Sequence, residues 1–167
     1  MIEVSKALDA ITQLPKRRSE ESNYQDESAD YTGREVVGVS RHRKGQELFR
    51  VAVLSAYSFQ CCVTGVSDHR FLVASHIKPW SVDKENRLNP SNGLCLSTFY
   101  DRAFDLGLIS FDPNYRLLVS SDLKKQADNH HIRETFLERS GMQLVLPEKF
   151  SPSNELLAWH RDTLFTG

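Results

Sequence analysis

The sequence predicts an α+β fold, and three observations carry that prediction. Apolar residues recur with helical spacing at Val4, Ala7, Leu8 and Ile11 and again at Phe49, Ala52, Val53 and Ala56. A β-rich run, Phe71-Leu72-Val73-Ala74, leads straight towards His76. Farther on, Asp112-Pro113-Asn114-Tyr115 separates two short apolar segments as the turn of a hairpin. A chain of 167 residues is the size of one domain, long enough to bury a core and too short for two ordinary ones.

In chain order, the first helical stripe ends at Pro15, which cannot continue a helix. Residues 16–35 carry Lys16, Arg17 and Arg18, then Glu20, Glu21, Asp26, Glu27 and Asp30, with almost nothing to bury. Residues 1–35 therefore read as a short helix on a flexible charged arm. Order resumes near Val36, with a buried helix over residues 45–57. Its expected N-terminal flank is Arg41-His42-Arg43-Lys44, where positive charge and free backbone N–H groups would suit a phosphate. Gly65-Val66-Ser67-Asp68 is turn chemistry before the strand. Pro79, Asn89, Pro90, Asn92 and Gly93 mark a long polar loop; residues 94–106 have helical character, and Gly107 supplies a stop. The hairpin spans residues 108–120. A helix ending at Gly141, a short strand over residues 143–146 and a last helix after Pro152, containing Trp159, complete the chain. Residues 36–122 form the expected core and 123–167 a helical extension packed on it.

One net negative charge gives no global sign of nucleic-acid binding, so any basic surface must be local. Three cysteines, two of them adjacent, make no disulfide framework and fit a reducing cytoplasm. The first residues lack the apolar stretch of a signal peptide, and no run is long enough to span a bilayer. Neither a membrane nor an organic cofactor is expected.

The chemistry gathers around four residues. His76 follows the predicted strand, Asn92 closes the polar loop, and Asp101 and Asp105 stand four apart on a predicted helix, which puts both carboxylates on one face. Paired carboxylates make a hard oxygen site suited to Mg²⁺ or Mn²⁺. A histidine facing such a metal can take a proton from water at neutral pH. These are the parts for phosphodiester hydrolysis.

Ala74-Ser75-His76-Ile77-Lys78-Pro79-Trp80, Asn89-Pro90-Ser91-Asn92-Gly93-Leu94-Cys95-Leu96 and Asp101-Arg102-Ala103-Phe104-Asp105-Leu106-Gly107 together resemble the HNH pattern of restriction endonucleases. The likeness is close from Gln46 through Asp122, including Cys62-Val63-Thr64-Gly65, and looser over Trp159-His160-Arg161. It implies a ββα-metal core, two strands and a helix around one catalytic metal, with flanking helices and the hairpin. By the same resemblance His76 takes the place of the general base, and Asn92 that of the middle asparagine that braces the loop. Asp101 stands where the third motif's metal ligand does, and Asp105 where some members have a further ligand. Ser75 departs from the pattern, since a metal-binding aspartate or histidine commonly precedes the catalytic histidine.

The expected activity is Mg²⁺- or Mn²⁺-dependent cleavage of duplex DNA, in restriction or phage defence, by a homodimer when both strands are cut. Arg41, Arg43, Lys44, Lys78, Arg87 and Arg102 are the candidate phosphate contacts. A structural zinc is not expected, because Cys61, Cys62 and Cys95 lack the spacing of paired Cys-x-x-Cys ligands. They read as small buried residues, His130-His131 as a surface pair at a helix start, and Trp80 and Trp159 as packing residues. Two rival readings are a DNA-binding or effector-gated module on the same fold that has lost catalysis, to which Ser75 is the pointer, and a nuclease toxin.

Overall fold

Phe49, Val53 and Leu54 fall on one side of helix α1, Val37–Ala56, and bury it against the first sheet. The computed structural model describes residues 37–167, with side chains from Gly45 onward; the helix and charged arm expected over residues 1–35 lie outside them. α1 begins a full two turns before the expected start. Arg41, His42, Arg43 and Lys44 thus lie within the helix rather than ahead of it. Their backbone N–H groups belong to the helical ladder, because only the first four of a helix are free. The phosphate site expected from free N–H groups at that basic cluster is therefore corrected.

Strand β1, Leu72–His76, pairs antiparallel with β2, Gly93–Ser97, in a register that sets Ser75 opposite Leu94 and His76 opposite Gly93. Helix α2, Thr98–Asp105, follows β2 directly and packs on both strands. The helical reading of residues 94–106 is corrected here. Leu94, Cys95 and Leu96 are each fully buried, and a short apolar run covered on both faces has no periodicity to separate strand from helix. The expected stop does form. Gly107 has φ +68°, and the N–H of Leu108 reaches back to the carbonyl of Ala103.

The second sheet is the predicted hairpin, β3 (Ile109–Phe111) paired with β4 (Leu117–Val119). Asp112 holds its turn by accepting hydrogen bonds from the backbone N–H groups of Asn114 and Arg116, both at 2.8 Å. Beyond it the single helix expected up to Gly141 is broken into α3 (Ser121–Lys124), α4 (His130–Ile132) and a π-helical turn over Arg133–Leu137. Ser120 and Asn129 each start a new helix by accepting a backbone N–H from three residues on. His130 and His131 are exposed at the second of these starts. The strand expected at residues 143–146 is reduced to one bridge between Arg116 and Gln143. α5, Asn154–Thr163, contains Trp159 and is capped by Ser153. No helix of the described residues is long and apolar enough to cross a membrane.

One apolar core runs through these elements and includes all three cysteines, as free thiols. Burial raises the Cys62 thiol well above its ordinary range and pushes Cys95 up to about 12, so these thiols stay protonated and pack as small apolar groups.

His160 is the most buried titratable group of α5, 1% exposed. Its ring stacks on Phe104 of α2 with centroids 3.7 Å apart, its Nε2 lies 3.0 Å from the Phe104 carbonyl, and Nδ1 lies 2.9 Å from the Ser110 hydroxyl. A carbonyl only accepts, so Nε2 carries the proton and Ser110 donates to Nδ1. Burial holds this imidazole down to about 4, against an ordinary 6.5. The unfolded chain therefore takes up a proton that the folded chain refuses. Stability is full above pH 6.5 and falls as the pH drops towards 4. Between pH 7 and pH 5 the loss from this one group is roughly 2 kcal/mol. Urea unfolding at the two pH values should show it, and His160→Gln should flatten that part of the pH dependence; an equal slope in the variant would refute the assignment.

Candidate active site

His76 ends β1, and its imidazole is held from three directions. Its Nε2 lies 3.1 Å from the backbone carbonyl of Arg87, which fixes the proton on Nε2 and leaves Nδ1 with a lone pair. One face stacks on Phe49, centroids 3.7 Å apart and planes 10° from parallel. The edge of Trp80 stands against it at 5.7 Å and 86°. Partial burial lowers the pKa of this histidine, more than the carbonyl hydrogen bond raises it, so the neutral ring is favoured at physiological pH.

Asn92 closes the loop that carries Trp80 and Arg87. It is fully buried, accepting the N–H of Lys78 at 2.8 Å and donating to the carbonyls of Lys78 at 3.1 Å and Asn86 at 3.2 Å. Its own carbonyl takes the N–H of Ile77 at 2.9 Å. The amide thus pins both ends of the loop to the start of β2.

On α2, Asp101 is half-buried and Asp105 exposed, four residues apart on one face. Burial raises the Asp101 carboxyl, while the Ser75 hydroxyl and the charge of Arg102 hold it down. The Ser75 side chain is buried beside Asp101, and its oxygen completes no hydrogen bond of ordinary geometry among the described residues. Asp105 is pushed up to about 6, first by the protein crowded around it and then by the like charge of Asp101, with Arg102 opposing. Its open solvent side moderates the first cause, which leaves the repulsion between the two carboxylates as the telling one. Adjacent residues of a strand face opposite ways. Ser75 accordingly meets Asp101 on α2 while His76 meets Phe49 on α1.

The remaining sequence-predicted residues divide. Lys78 is drawn to Asp83 at 3.5 Å and over the Trp159 ring at 5.6 Å. Arg87 donates from Nε to the Trp80 carbonyl at 2.7 Å, with its guanidinium over the indole at 5.4 Å. Arg102 is exposed beside the two carboxylates. The side chains of Arg41, Arg43 and Lys44 lie outside those described. Phe49, Trp80 and the Arg87 carbonyl are what the sequence reading missed as neighbours of His76. A main-chain acceptor leaves no trace in a side-chain pattern, and Phe49 read only as one residue of a helical stripe.

Among the described residues no group of three or more His, Cys, Asp or Glu side chains gathers to hold a metal ion. Two carboxylates on one helix face, one close enough to raise the proton affinity of the other, nonetheless suit a hard divalent cation, since Mg²⁺ keeps several waters and takes substrate phosphate oxygens for its other positions.

Comparison with known proteins gives one family: residues 61–112 match the HNH endonuclease model. No curated protein matches the chain. Among solved structures, a modification-dependent TagI restriction endonuclease superposes with TM-score 0.49 at 15% identity, over 70% of this chain and 37% of that one. The matched segment runs from Cys61 through β1, the braced loop, β2 and α2 to the hairpin turn at Asp112, so over these residues the chain is similar to the HNH endonuclease domain.

Proposed function

We propose that this chain is a divalent-metal-dependent DNA endonuclease with His76 as its general base. The observation that carries the reading is the Nε2–H bond to the Arg87 carbonyl, which leaves Nδ1 as the basic atom on a ring favoured in its neutral form. His76 takes a proton from water at Nδ1, and the hydroxide attacks phosphorus in line with the leaving 3′ oxygen. As the ring becomes cationic, the carbonyl at Nε2 stabilises it. Asn92 keeps the loop, and with it that carbonyl, in place. Asp101 and Asp105, on the α2 side of β1, would hold Mg²⁺ or Mn²⁺, with the Ser75 hydroxyl orienting Asp101; the His76 ring lies on the α1 side, so a phosphate that meets both would lie off the end of the strand, where His76 stands. When bound, the ion supplies charge stabilisation at the phosphoryl and leaving oxygens. Arg102, Lys78, Arg87, Arg41, Arg43 and Lys44 are proposed to meet phosphates. Cutting both strands calls for two copies of the chain, and a restriction or phage-defence role in the cytoplasm fits the activity.

The test is plasmid cleavage with Mg²⁺ or Mn²⁺. Nicked and linear products that vanish on chelation, at a rate that rises with pH through the His76 titration, are expected. The rise follows because only the neutral ring can accept a proton. Chelator-resistant cleavage would refute the metal dependence. Ser75 in a common ligand position supports the second reading, a DNA-binding module without catalysis; a gel shift with no product under any divalent ion would select it.

A further inference from the structure

We propose that Phe49 is a positioning residue for His76: its ring is the surface on which the imidazole lies, and Gly93 leaves room for that ring and for Val53 one turn along α1. The inference rests on the reading of His76 as the base. Phe49 belongs to α1, ahead of the family-matched segment, and is 2% exposed. The 10° angle and 3.7 Å separation make this a parallel stack, which sets the plane of the imidazole. The bond from Nε2 to the Arg87 carbonyl sets the rotation within that plane. Because Arg87 is tied to both the carbonyl and the ring of Trp80, the wall and the acceptor move as one. With plane and rotation both fixed, Nδ1 has a single direction.

Gly93 pairs with His76 across the sheet. Its φ of −129° is ordinary extended backbone that any residue adopts, so conformation does not call for glycine there. Space does. A Cβ at this position would stand 2.4 Å from Val53 Cγ2 and 3.0 Å from Phe49 Cζ. The same contact rules out tyrosine at position 49 as a conservative exchange, because a hydroxyl on Cζ would be driven towards Gly93. Leucine at 49 keeps an apolar, buried side chain but offers no flat face.

The experiment uses the full chain with Phe49→Leu, read by plasmid-cleavage kinetics and by ¹⁵N spectra of the histidine rings. A displaced base costs turnover rather than DNA affinity, so kcat should fall about 10- to 100-fold with KM changed less than about twofold. The His76 nitrogens should change from a pure Nε2–H pattern to a mixture of tautomers. Wild-type kcat in the variant, or unchanged His76 signals, would overturn the proposal. Should Phe49→Leu fail to fold, Phe49→Met is read the same way. In the unaltered protein the His76 ring protons should be shifted upfield by the Phe49 face, and their absence from that position refutes the stack. If His76→Ala cleaves normally, the base reading fails by itself, while the ring spectra of Phe49→Leu still decide whether Phe49 orients the imidazole.

Discussion

His76→Ala should lower divalent-ion-dependent DNA cleavage by about 10²- to 10⁴-fold, the range a positioned general base contributes. The ring's surroundings define the comparison that isolates this effect. The imidazole fills a half-buried space between Phe49 and Trp80, so alanine also removes packing and lowers stability by about 1–3 kcal/mol. A protein that remains mostly folded loses little activity by that route, and thermal unfolding measures the difference. His76→Gln fills more of the space, and its amide can still donate to the Arg87 carbonyl, but it has no basic nitrogen. The two variants should therefore be similarly inactive and differ in stability. Cleavage by His76→Gln within about tenfold of wild type would exclude His76 as the base.

The second large effect belongs to Asn92→Ala, which should cost both fold and activity. Removing the amide strands the N–H of Lys78 and the carbonyls of Lys78 and Asn86, at a position with no solvent exposure. Each buried group left unpaired costs about 1–3 kcal/mol, and relaxation of the loop towards water recovers part of it. A net loss of roughly 2–4 kcal/mol is expected by urea unfolding. Asn92→Asp separates the parts. A carboxylate still accepts from Lys78 but has no N–H to give the two carbonyls, so stability should fall nearly as far as in Asn92→Ala. On the proposed mechanism kcat falls as well, because the released loop carries the Arg87 carbonyl away from Nε2. An Asn92→Asp protein as stable as wild type would refute the bracing role.

The local elements most legible in the sequence were those with their own punctuation. Gly107 stops α2 and Asp112-Pro113-Asn114-Tyr115 turns the hairpin, because positive φ and side-chain-to-backbone hydrogen bonds are properties of single residues. β2 is not legible in the sequence as a strand, because Leu94, Cys95 and Leu96 are buried on both faces and carry no period. The breaks in the helix expected up to Gly141 are not legible either, because the caps at Ser120 and Asn129 compete with a propensity that favours one helix. Of the candidate site, Asn92, Asp101 and Asp105 announce themselves as polar residues at telling intervals. Phe49 and Trp80 do not, because their relation to His76 exists only once α1 and the loop are folded against β1.

Helix α2 spans eight residues, yet much of what secures its C-terminal end comes from the far end of the described chain. His160 binds the Phe104 carbonyl across 56 residues, and the N–H of Thr166 binds the Gly107 carbonyl. A Cβ on Gly107 would lie 1.9 Å from the Leu164 carbonyl oxygen, a measure of how closely the two segments are pressed together. The stretch that matches the family model is therefore held in part by residues that lie outside it. Both carboxylates thus stand on a helix whose C-terminal end is held by chain more than fifty residues farther on, so cutting the chain after Asp112 would leave the Phe104 and Gly107 carbonyls without these partners.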